Sequence, residues 1–273
     1  MLWTADLDAE QQGSDRAADA HHQMRVKSPR RPPKRGNLDQ NDREASGEEE
    51  KMASLSDLTP AERAHLLGKP EGELGIAIGA VMNNTNAKLI ETVYQRLGLR
   101  SGQSVIEIGF GNGHTVPLLM QLAGGLTYTG IEIAQTMVAE AAAFNRTLVD
   151  AERAKFQLAA AEAIPFPDGS FDRAVAINVV YFWSDPVQAL TEIRRVLRPG
   201  GLCIVAGMDS ATAAAAPFYR AEFGFHIREA DDLTAIHRAA GFTAVDIEPF
   251  DEMTKLGDGT PFARHYHLVI AAR

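Results

Sequence analysis

The sequence contains little cysteine and no long apolar run. Its 273 residues include one cysteine, Cys203, so no disulfide can form within the chain, and a disulfide-rich secreted fold is excluded. No apolar stretch reaches the roughly 18 residues that a membrane-spanning helix requires. The N-terminus carries Asp6, Asp8 and Glu10 instead of a basic and then apolar signal sequence. We therefore expect a protein of the reducing cytoplasm that has no membrane partner.

Positive charge is also scarce. The chain has 27 basic and 36 acidic residues, a net charge of −9, and 45% hydrophobic residues. That hydrophobic content is enough for one globular core and excludes collagen, a coiled coil and a fully disordered chain. An acidic folded part disfavours a nucleic-acid partner, because phosphate binding depends on clustered Lys and Arg.

The first 52 residues differ from the rest of the chain. They show no apolar period and, apart from Trp3, no aromatic side chain, so we predict a disordered tail over residues 1–52. Residues 25–35 carry six positive charges and no negative one, which leaves nucleic-acid binding or a localisation signal as alternatives to a solvated tail. Met52 directly precedes the first structured signal, so a start there is a further alternative.

Helix signals come first in the folded part. Thr59, Pro60 and Glu62 form a capping signature that predicts a short helix to about Leu67. A second helix is predicted over residues 84–97. Between them, residues 71–86 contain three glycines at spacings of three and four residues and three asparagines, a pattern that indicates close backbone approach.

From Gln103 onward, short apolar segments alternate with amphipathic helices. Seven strands are predicted, at residues 104–108, 127–133, 156–159, 173–178, 202–206, 243–247 and 266–271. Alternation of this kind favours a doubly wound, Rossmann-like α/β sheet that is mostly parallel, with helices on both faces. About fifteen residues separate the last two strands, so the C-terminal strand is expected to return antiparallel. The domain then spans residues 53–273, with a helical cap (53–99), a core (100–208) and an insertion followed by C-terminal strands (209–273).

The first predicted strand runs into a turn with glycines at alternate positions, Gly109, Gly111 and Gly113. In an open α/β sheet this turn lies where a ligand crevice forms, and glycine allows the backbone to approach a ligand. A dinucleotide site requires a further glycine where this chain has His114. The turn therefore disfavours NAD and suits a ligand with an amino-acid tail.

An acid ends the next strand about twenty residues later. Glu132 stands where a carboxylate can accept both hydroxyls of a ribose. The alternative is a solvated acid at a strand end.

Four segments in order resemble the class I S-adenosylmethionine-dependent methyltransferases, in particular the small-molecule, methyltransferase type 11-like branch. They are Glu-Ile-Gly-Phe-Gly-Asn-Gly at 107–113, Gly-Ile-Glu at 130–132, Ala-Glu-Ala-Ile-Pro-Phe-Pro-Asp-Gly-Ser-Phe-Asp at 161–172, and Arg-Val-Leu-Arg-Pro-Gly-Gly at 195–201. The resemblance implies S-adenosyl-L-methionine as cofactor and a small-molecule substrate, in a monomer or homodimer. It implies that Glu107 orients the methionine amino group, that the glycine turn passes under the cofactor and that Glu132 holds the ribose.

The chain departs from the family at the adenine position. The family's aspartate is replaced within Ala159-Ala160-Ala161-Glu162, so Glu162 or the backbone near Ala161 is expected to bind the adenine edge. A lost hydrogen bond costs on the order of 1 kcal/mol, too little to abolish binding. After the fourth strand, the resemblance places Asn178 at the cofactor and Tyr181 near the sulfonium.

The reaction is expected to need alignment more than a dedicated base, because the sulfonium is itself the electrophile. Tyr181 and His114 are the candidate catalytic bases, and Asp209 and His226 are further candidates. The predicted acceptor pocket comprises Met82, Asn83, Asn86, Tyr181, Phe218 and Tyr219.

No metal site is predicted. His265 and His267 share a strand face, but a third ligand with suitable spacing is missing from the pattern.

Two other functions stay open at this point. One is a cofactor-binding module without turnover, which the replaced aspartate and the lack of an evident base allow. The other is a nicotinamide-dependent oxidoreductase.

Overall fold

The structure is a computed structural model that describes residues 55–255 and 260–273. The predicted tail over residues 1–52, its basic stretch and the alternative start at Met52 lie outside the described residues. Within the described part of the chain, no helix is long and apolar enough to cross a bilayer.

Between Pro60 and the sheet, the structure has the helices α1 (Pro60–Gly68), α2 (Gly72–Thr85) and α3 (Ala87–Arg96). The capping signature before α1 is confirmed, because the Thr59 side chain accepts from the backbone N–H of Glu62 and the Glu62 carboxylate accepts from the backbone N–H of Thr59 at 2.9 Å. The helix predicted over residues 84–97 begins only at Ala87, since the preceding helix occupies its expected first turn.

The glycine-rich segment forms helix α2, and its glycines lie where the backbone packs closely. A Cβ at Gly75 would lie 2.5 Å from the carbonyl carbon of Pro70, and one at Gly79 would lie 3.3 Å from the side-chain nitrogen of Asn112. The close approach indicated by the glycines therefore occurs between helix α2 and neighbouring residues. Neither Asn83 nor Asn84 caps it, because both lie in its last turn.

Within the part of the chain that the structure describes, seven strands form one sheet in the order β3-β2-β1-β4-β5-β7-β6. Strands β1 to β5 pair in parallel, and β7 pairs antiparallel with both β5 and β6. The predicted fold class and the antiparallel C-terminal strand are confirmed. The strands are β1 (Ser104–Ile108), β2 (Thr127–Glu132), β3 (Ala154–Leu158), β4 (Phe171–Ile177), β5 (Leu197–Met208), β6 (Ala244–Lys255) and β7 (Pro261–Ala272).

The helices that follow β1 range from four to eleven residues in length. They are α4 (Val116–Met120), α5 (Gln135–Phe144), α6 (Arg146–Asp150), α7 (Pro186–Val196), α8 (Ser210–Ala213) and α9 (Ala230–Ala239), with a 3₁₀ turn at Ala221–Phe223. Helices α5 and α6 are separated at Asn145, whose side-chain amide donates to the carbonyls of Gly113 (2.9 Å) and Ala141 (3.0 Å). At the start of α7, the Asp185 side chain accepts from the backbone N–H of Gln188 at 2.9 Å and caps the helix.

The strand order reverses at β1, whose neighbours are β2 on one side and β4 on the other. At such a switch point the loops leave in opposite directions and open a crevice at the carboxyl ends of the strands. The fold therefore brings the glycine turn after β1, the acid at the end of β2 and the segment after β4 to one place.

Candidate functional site

A cavity of about 210 Å³ lies at the carboxyl ends of β1, β2 and β4, and α2 forms part of its wall. Ten of the predicted site residues line it: Met82, Asn83, Asn86, Glu107, Gly109, Gly111, Glu132, Ala161, Glu162 and Asn178. Ile133, Phe182 and Trp183 are also part of its wall. The structure thus brings together residues that are up to 101 positions apart in the chain.

The glycine turn requires its glycines for different reasons. At Gly111, φ is +61° and a Cβ would meet no atom within 4 Å, so the space above this residue is open to a ligand. At Gly109, φ is +72° and a Cβ would lie 2.4 Å from Val179 Cγ1. Gly113 does not line the cavity, because it faces α5, where a Cβ would lie 2.6 Å from that of Ala141.

Phe110, inside the same turn, packs on the neighbouring strand. A Cβ at Gly130 of β2 would lie 2.3 Å from Phe110 Cδ1, so the ring occupies the space that a larger residue at position 130 would need. The ring also makes an edge contact with Phe156 of β3 at a centroid distance of 5.1 Å.

Glu132 is 7% exposed and is fixed by three backbone N–H groups. Oε1 accepts from Ile133 (2.7 Å) and Ala134 (3.2 Å), and Oε2 accepts from Gly111 (3.3 Å). Burial raises the pKa of this carboxyl, and the backbone donors oppose the rise because they stabilise its ionised form. The acid at the end of β2 is thus tied directly to the glycine turn.

Glu107 is 5% exposed and contacts two tyrosines from other elements. Its Oε2 accepts from the phenols of Tyr94 of α3 (2.9 Å) and Tyr128 of β2 (2.8 Å). Burial raises the pKa of Glu107 to about 7, although both phenols lower it. Sequence reasoning missed both tyrosines. The alternation of β2 contained a signal for Tyr128, because it shares a strand face with Glu132.

Asn178 follows β4 in the left-handed region, at φ +58°, a conformation that costs an ordinary residue about 1 kcal/mol or more. The Tyr181 phenol donates to its Oδ1 at 2.6 Å, which leaves the amide nitrogen available to a ligand. Tyr181 itself is 1% exposed and is not part of the cavity wall. Burial raises its pKa well above the usual value, so the structure favours a role in holding Asn178 over the predicted role as a base.

The adenine-side residues are only partly as expected. Ala161 lines the cavity as a buried residue. The Glu162 carboxylate also reaches the wall, but its Oε1 accepts from the backbone N–H and the hydroxyl of Ser184, both at 3.1 Å. Glu162 thereby fixes the loop that carries Phe182 and Trp183.

Three other predicted residues lie away from the cavity wall. His114 stacks on Phe144 at a centroid distance of 3.8 Å, because the turn of the chain at Gly113 directs it towards the end of α5. Phe218 and Tyr219 pack on each other, with the Arg63 guanidinium 5.6 Å from the Phe218 ring centroid. The insertion therefore packs against α1 instead of opening into the cavity, and the structure supports neither a base at His114 nor acceptor contacts at 218 and 219.

The two histidines of β7 have acidic partners. His265 contacts Asp251 at 2.7 Å and His267 contacts Glu229 at 3.4 Å. Among residues 55–255 and 260–273, no group of three His, Cys, Asp or Glu side chains is arranged to hold a metal ion.

The sheet order, the glycine turn and the two buried acids at the switch point define a Rossmann-like methyltransferase fold. Residues 106–205 match a family model described as a methyltransferase domain. This part of the chain is an S-adenosylmethionine-dependent methyltransferase domain, whose cofactor is S-adenosylmethionine.

Relatives in sequence carry the same domain. The chain is 26% identical over 170 residues to the uncharacterized methyltransferase YdaC of Bacillus subtilis, covering 62% of this chain and 88% of that protein. It is 30% identical over 174 residues to the O-methyltransferase resE of Aspergillus sclerotiorum, covering 60% of this chain and 64% of the relative. The chain therefore spans less than two thirds of the second relative.

Solved structures share the fold. A S-adenosylmethionine-dependent methyltransferase from Aquifex aeolicus superposes with a TM-score of 0.54 at 18% identity, over 79% of this chain and 99% of that one. A [4+2]-cyclase, SpnF, superposes with a TM-score of 0.54 at 24% identity, over 68% and 80%. At these identities the likeness concerns the fold alone.

Proposed function

We propose that this protein transfers a methyl group from S-adenosylmethionine to a small-molecule acceptor by in-line displacement. The observation that carries the proposal is the cavity at the switch point, where the glycine turn and two buried carboxylates lie beside a wall of amide and aromatic side chains. A concave cavity of this size suits a small acceptor better than a macromolecule. The O-methyltransferase relative makes acceptors with a hydroxyl or carboxyl oxygen the first to test.

The residues present fit the cofactor. The open space above Gly111 would receive it, since only a glycine at this φ leaves the backbone uncovered there. Glu132 would accept the ribose hydroxyls, and Glu107 would bind the α-ammonium group. Gly109 would allow the turn to pack against Val179, and the backbone near Ala161 would border the adenine.

The bound cofactor supplies a methyl group activated by a positively charged sulfur. The chain's own residues then supply alignment and exclusion of water, which suffice for a displacement of this kind. Asn83 and Asn86 would orient the acceptor from α2 and its C-terminal end, and Asn178 would do so from the end of β4. Phe182 and Trp183 would keep water out.

We assign no proton transfer to Tyr181 or His114. The Tyr181 phenol donates a hydrogen bond to Asn178 Oδ1. His114 stacks on Phe144, outside the cavity wall. In this proposal Tyr181 therefore positions Asn178, and His114 has no role in the reaction.

We also propose a cytoplasmic monomer or homodimer without nucleic-acid or membrane partners. The acidic charge balance supports this assignment, as does the burial of Cys203, the one cysteine of the sequence. Sedimentation of the full chain with and without nucleic acid would test both the oligomeric state and the partner assignment.

Thermal unfolding with S-adenosylmethionine, S-adenosylhomocysteine and NAD tests the cofactor assignment. A ligand at 100 times its dissociation constant stabilises a protein by about 2.7 kcal/mol, so the two adenosyl compounds should raise the melting temperature and NAD should not. Stabilisation by NAD alone would indicate an oxidoreductase and contradict the proposal.

Transfer of labelled methyl from S-adenosylmethionine to a panel of hydroxylated and carboxylated metabolites tests the reaction. Labelled product is the expected result. Cofactor binding without transfer to any acceptor class would favour a binding module, and a cyclised but unmethylated product would favour a cyclase activity like that of SpnF.

A further inference from the structure

The strongest feature beyond the assigned contacts is the hydrogen-bond network behind Glu107. Tyr94 reaches it from α3 and Tyr128 from β2, and both tyrosines are at most 2% exposed. The Tyr94 oxygen lies 3.1 Å from Oε1 and 2.9 Å from Oε2, and 3.0 Å from the hydroxyl of Thr115. Two elements, α3 and β2, therefore hold the one carboxylate, and Thr115 holds the Tyr94 phenol.

The distribution of donors leaves one side of the carboxylate available. Both phenols donate to Oε2, whereas Oε1 receives only the longer contact from Tyr94. A carboxylate offers about four lone-pair positions, so Oε1 retains capacity for another donor. Glu107 lines the cavity, and a ligand ammonium group there would complete the set.

We propose that Tyr94 and Tyr128 are positioning residues that keep Glu107 oriented and ionised for the cofactor's α-ammonium group. The inference rests on the proposed function and extends it by two residues that do not themselves line the cavity. The phenols donate to the charged form of the carboxyl, which stabilises that form in a site where burial disfavours it.

The electrostatic surroundings make this role measurable. Among the described residues, the titratable groups that face Glu107 are the phenols of Tyr94 and Tyr128. Glu132 lies further along β2 and acts on Tyr128 rather than on Glu107 directly. No cation from the described residues compensates the charge, so the loss of one phenol should move the titration of Glu107 to higher pH.

Calorimetric titration of the full chain with S-adenosylhomocysteine between pH 5.5 and 8.5 tests the proposal. In the wild type, affinity should rise as Glu107 ionises, through a pH of about 7. In Tyr128→Phe the midpoint should move up by about one pH unit, because a hydrogen bond to a charged group is lost. Affinity should then fall by about fivefold at pH 7, as the ionised fraction falls, and recover towards the wild-type value at higher pH.

Two comparisons separate positioning from damage to the fold. The ligand 5′-methylthioadenosine lacks the amino-acid group, so its affinity should be the same in wild type and Tyr128→Phe at every pH. Tyr266→Phe removes a phenol from a tyrosine of β7 that is also 2% exposed, and it should change neither profile.

Tyr94→Phe should shift the midpoint in the same direction as Tyr128→Phe. A pH-independent loss of affinity, or an equal loss for 5′-methylthioadenosine, would overturn the proposal, as would unchanged profiles in both variants. Failure of the wild type to bind S-adenosylhomocysteine at any pH would instead refute the proposed function.

Discussion

Gly111 combines two requirements in one residue, a left-handed backbone and an uncovered face. Gly102 has both features, since its φ is +78° and a Cβ there would also meet no atom within 4 Å, but it does not line the cavity. The two glycines therefore form a matched pair in which the conformational cost of a side chain can be separated from its effect on a ligand.

We expect Gly111→Ala and Gly102→Ala each to lower the free energy of unfolding by about 1 kcal/mol, the cost of the left-handed conformation. Only Gly111→Ala should also weaken S-adenosylhomocysteine, because its methyl group would enter the cavity. Chemical denaturation and calorimetry measure the two effects. Equal ligand affinity in both variants would show that the ligand does not lie over Gly111.

Glu132 presents the second residue-scale prediction. Glu132→Gln should weaken S-adenosylhomocysteine by about tenfold or more, since the amide loses the charge and places an N–H group towards backbone donors. Glu222→Gln, the same change at an exposed site of the 3₁₀ turn, is the control and should bind as the wild type does. Wild-type affinity in Glu132→Gln would remove the carboxylate from the binding site.

At the scale of single residues, the sequence predicts which side chains lie at the cavity when their position depends only on where a strand ends. Glu107 and Glu132 could be predicted because each ends a parallel strand next to the switch point. Tyr94 could not, because its contact with Glu107 depends on how α3 crosses the sheet. Phe218 and Tyr219 were misplaced for the same reason, since no local pattern indicates which neighbour an insertion packs against.

At its N-terminus, helix α2 is hydrogen-bonded to the start of α5. The Glu71 carboxylate accepts from the backbone N–H groups of Gln135 (2.9 Å) and Thr136 (3.2 Å), and the Thr136 hydroxyl accepts from the N–H of Gly72 (3.0 Å). The start of α2 and the start of α5 thus cap each other. Because α2 forms a wall of the cavity, this reciprocal cap connects the wall to the strand end that carries Glu132.

Glu71→Gln should loosen α2 and speed the release of S-adenosylhomocysteine several-fold, whereas Glu73→Gln, two residues further along the same helix, should not. Hydrogen exchange of residues 72–85 and stopped-flow displacement measure the two effects.

The pH dependence of this cap has a defined sign. The pKa of Glu71 is lowered, chiefly by the Thr136 hydroxyl, so the cap is present above the ordinary pKa of a glutamate and is lost as the pH falls through the lowered one. Faster exchange in α2 at neutral pH in the wild type than in Glu71→Gln would contradict the assignment.

Helices and strands could be predicted where the apolar residues of a segment follow one repeat, as in the strands β1 to β5. The C-terminal hairpin was placed correctly, but its strands extend well beyond the apolar cores at 243–247 and 266–271. The extra residues pair across the hairpin beyond the apolar stretch, for which hydrophobic patterning gives no signal. Asn145 divides α5 from α6 through hydrogen bonds to a distant turn, which no helical period indicates.

At the scale of the whole molecule, two arginine–glutamate pairs that involve β6 differ strongly in burial. Arg264 of β7 lies 2.6 Å from Glu252 of β6, and the two side chains are 12% and 5% exposed. Arg96 of α3 lies 2.8 Å from Glu248 of the same strand, with 52% and 44% exposed. Burial determines what the loss of each arginine costs.

Arg264→Ala should lower the free energy of unfolding by about 3 kcal/mol or more, because it leaves the Glu252 carboxylate buried without a counter-charge. Arg96→Ala should cost at most about 1 kcal/mol, as is typical of exposed pairs. Urea denaturation of both variants measures the difference. A similar small cost for each would show that Glu252 finds water or another partner when Arg264 is removed.

At the scale of the molecule, the fold class followed from the order of strands and helices, since right-handed crossovers leave few ways to arrange a parallel sheet. The position of the cavity followed from the same rule. Its acceptor end did not, because it is formed by a helix and loops that meet only in the folded chain.

The Phe110 ring over Gly130 links the choice of residue at two distant positions. A homologue with a side chain at position 130 needs a smaller residue at position 110. A homologue without the aromatic ring at 110 can accept a larger residue at 130. Substitution at these two sites should therefore be correlated through descent, so that the double exchange Phe110→Leu with Gly130→Ala is tolerated where Gly130→Ala alone is not.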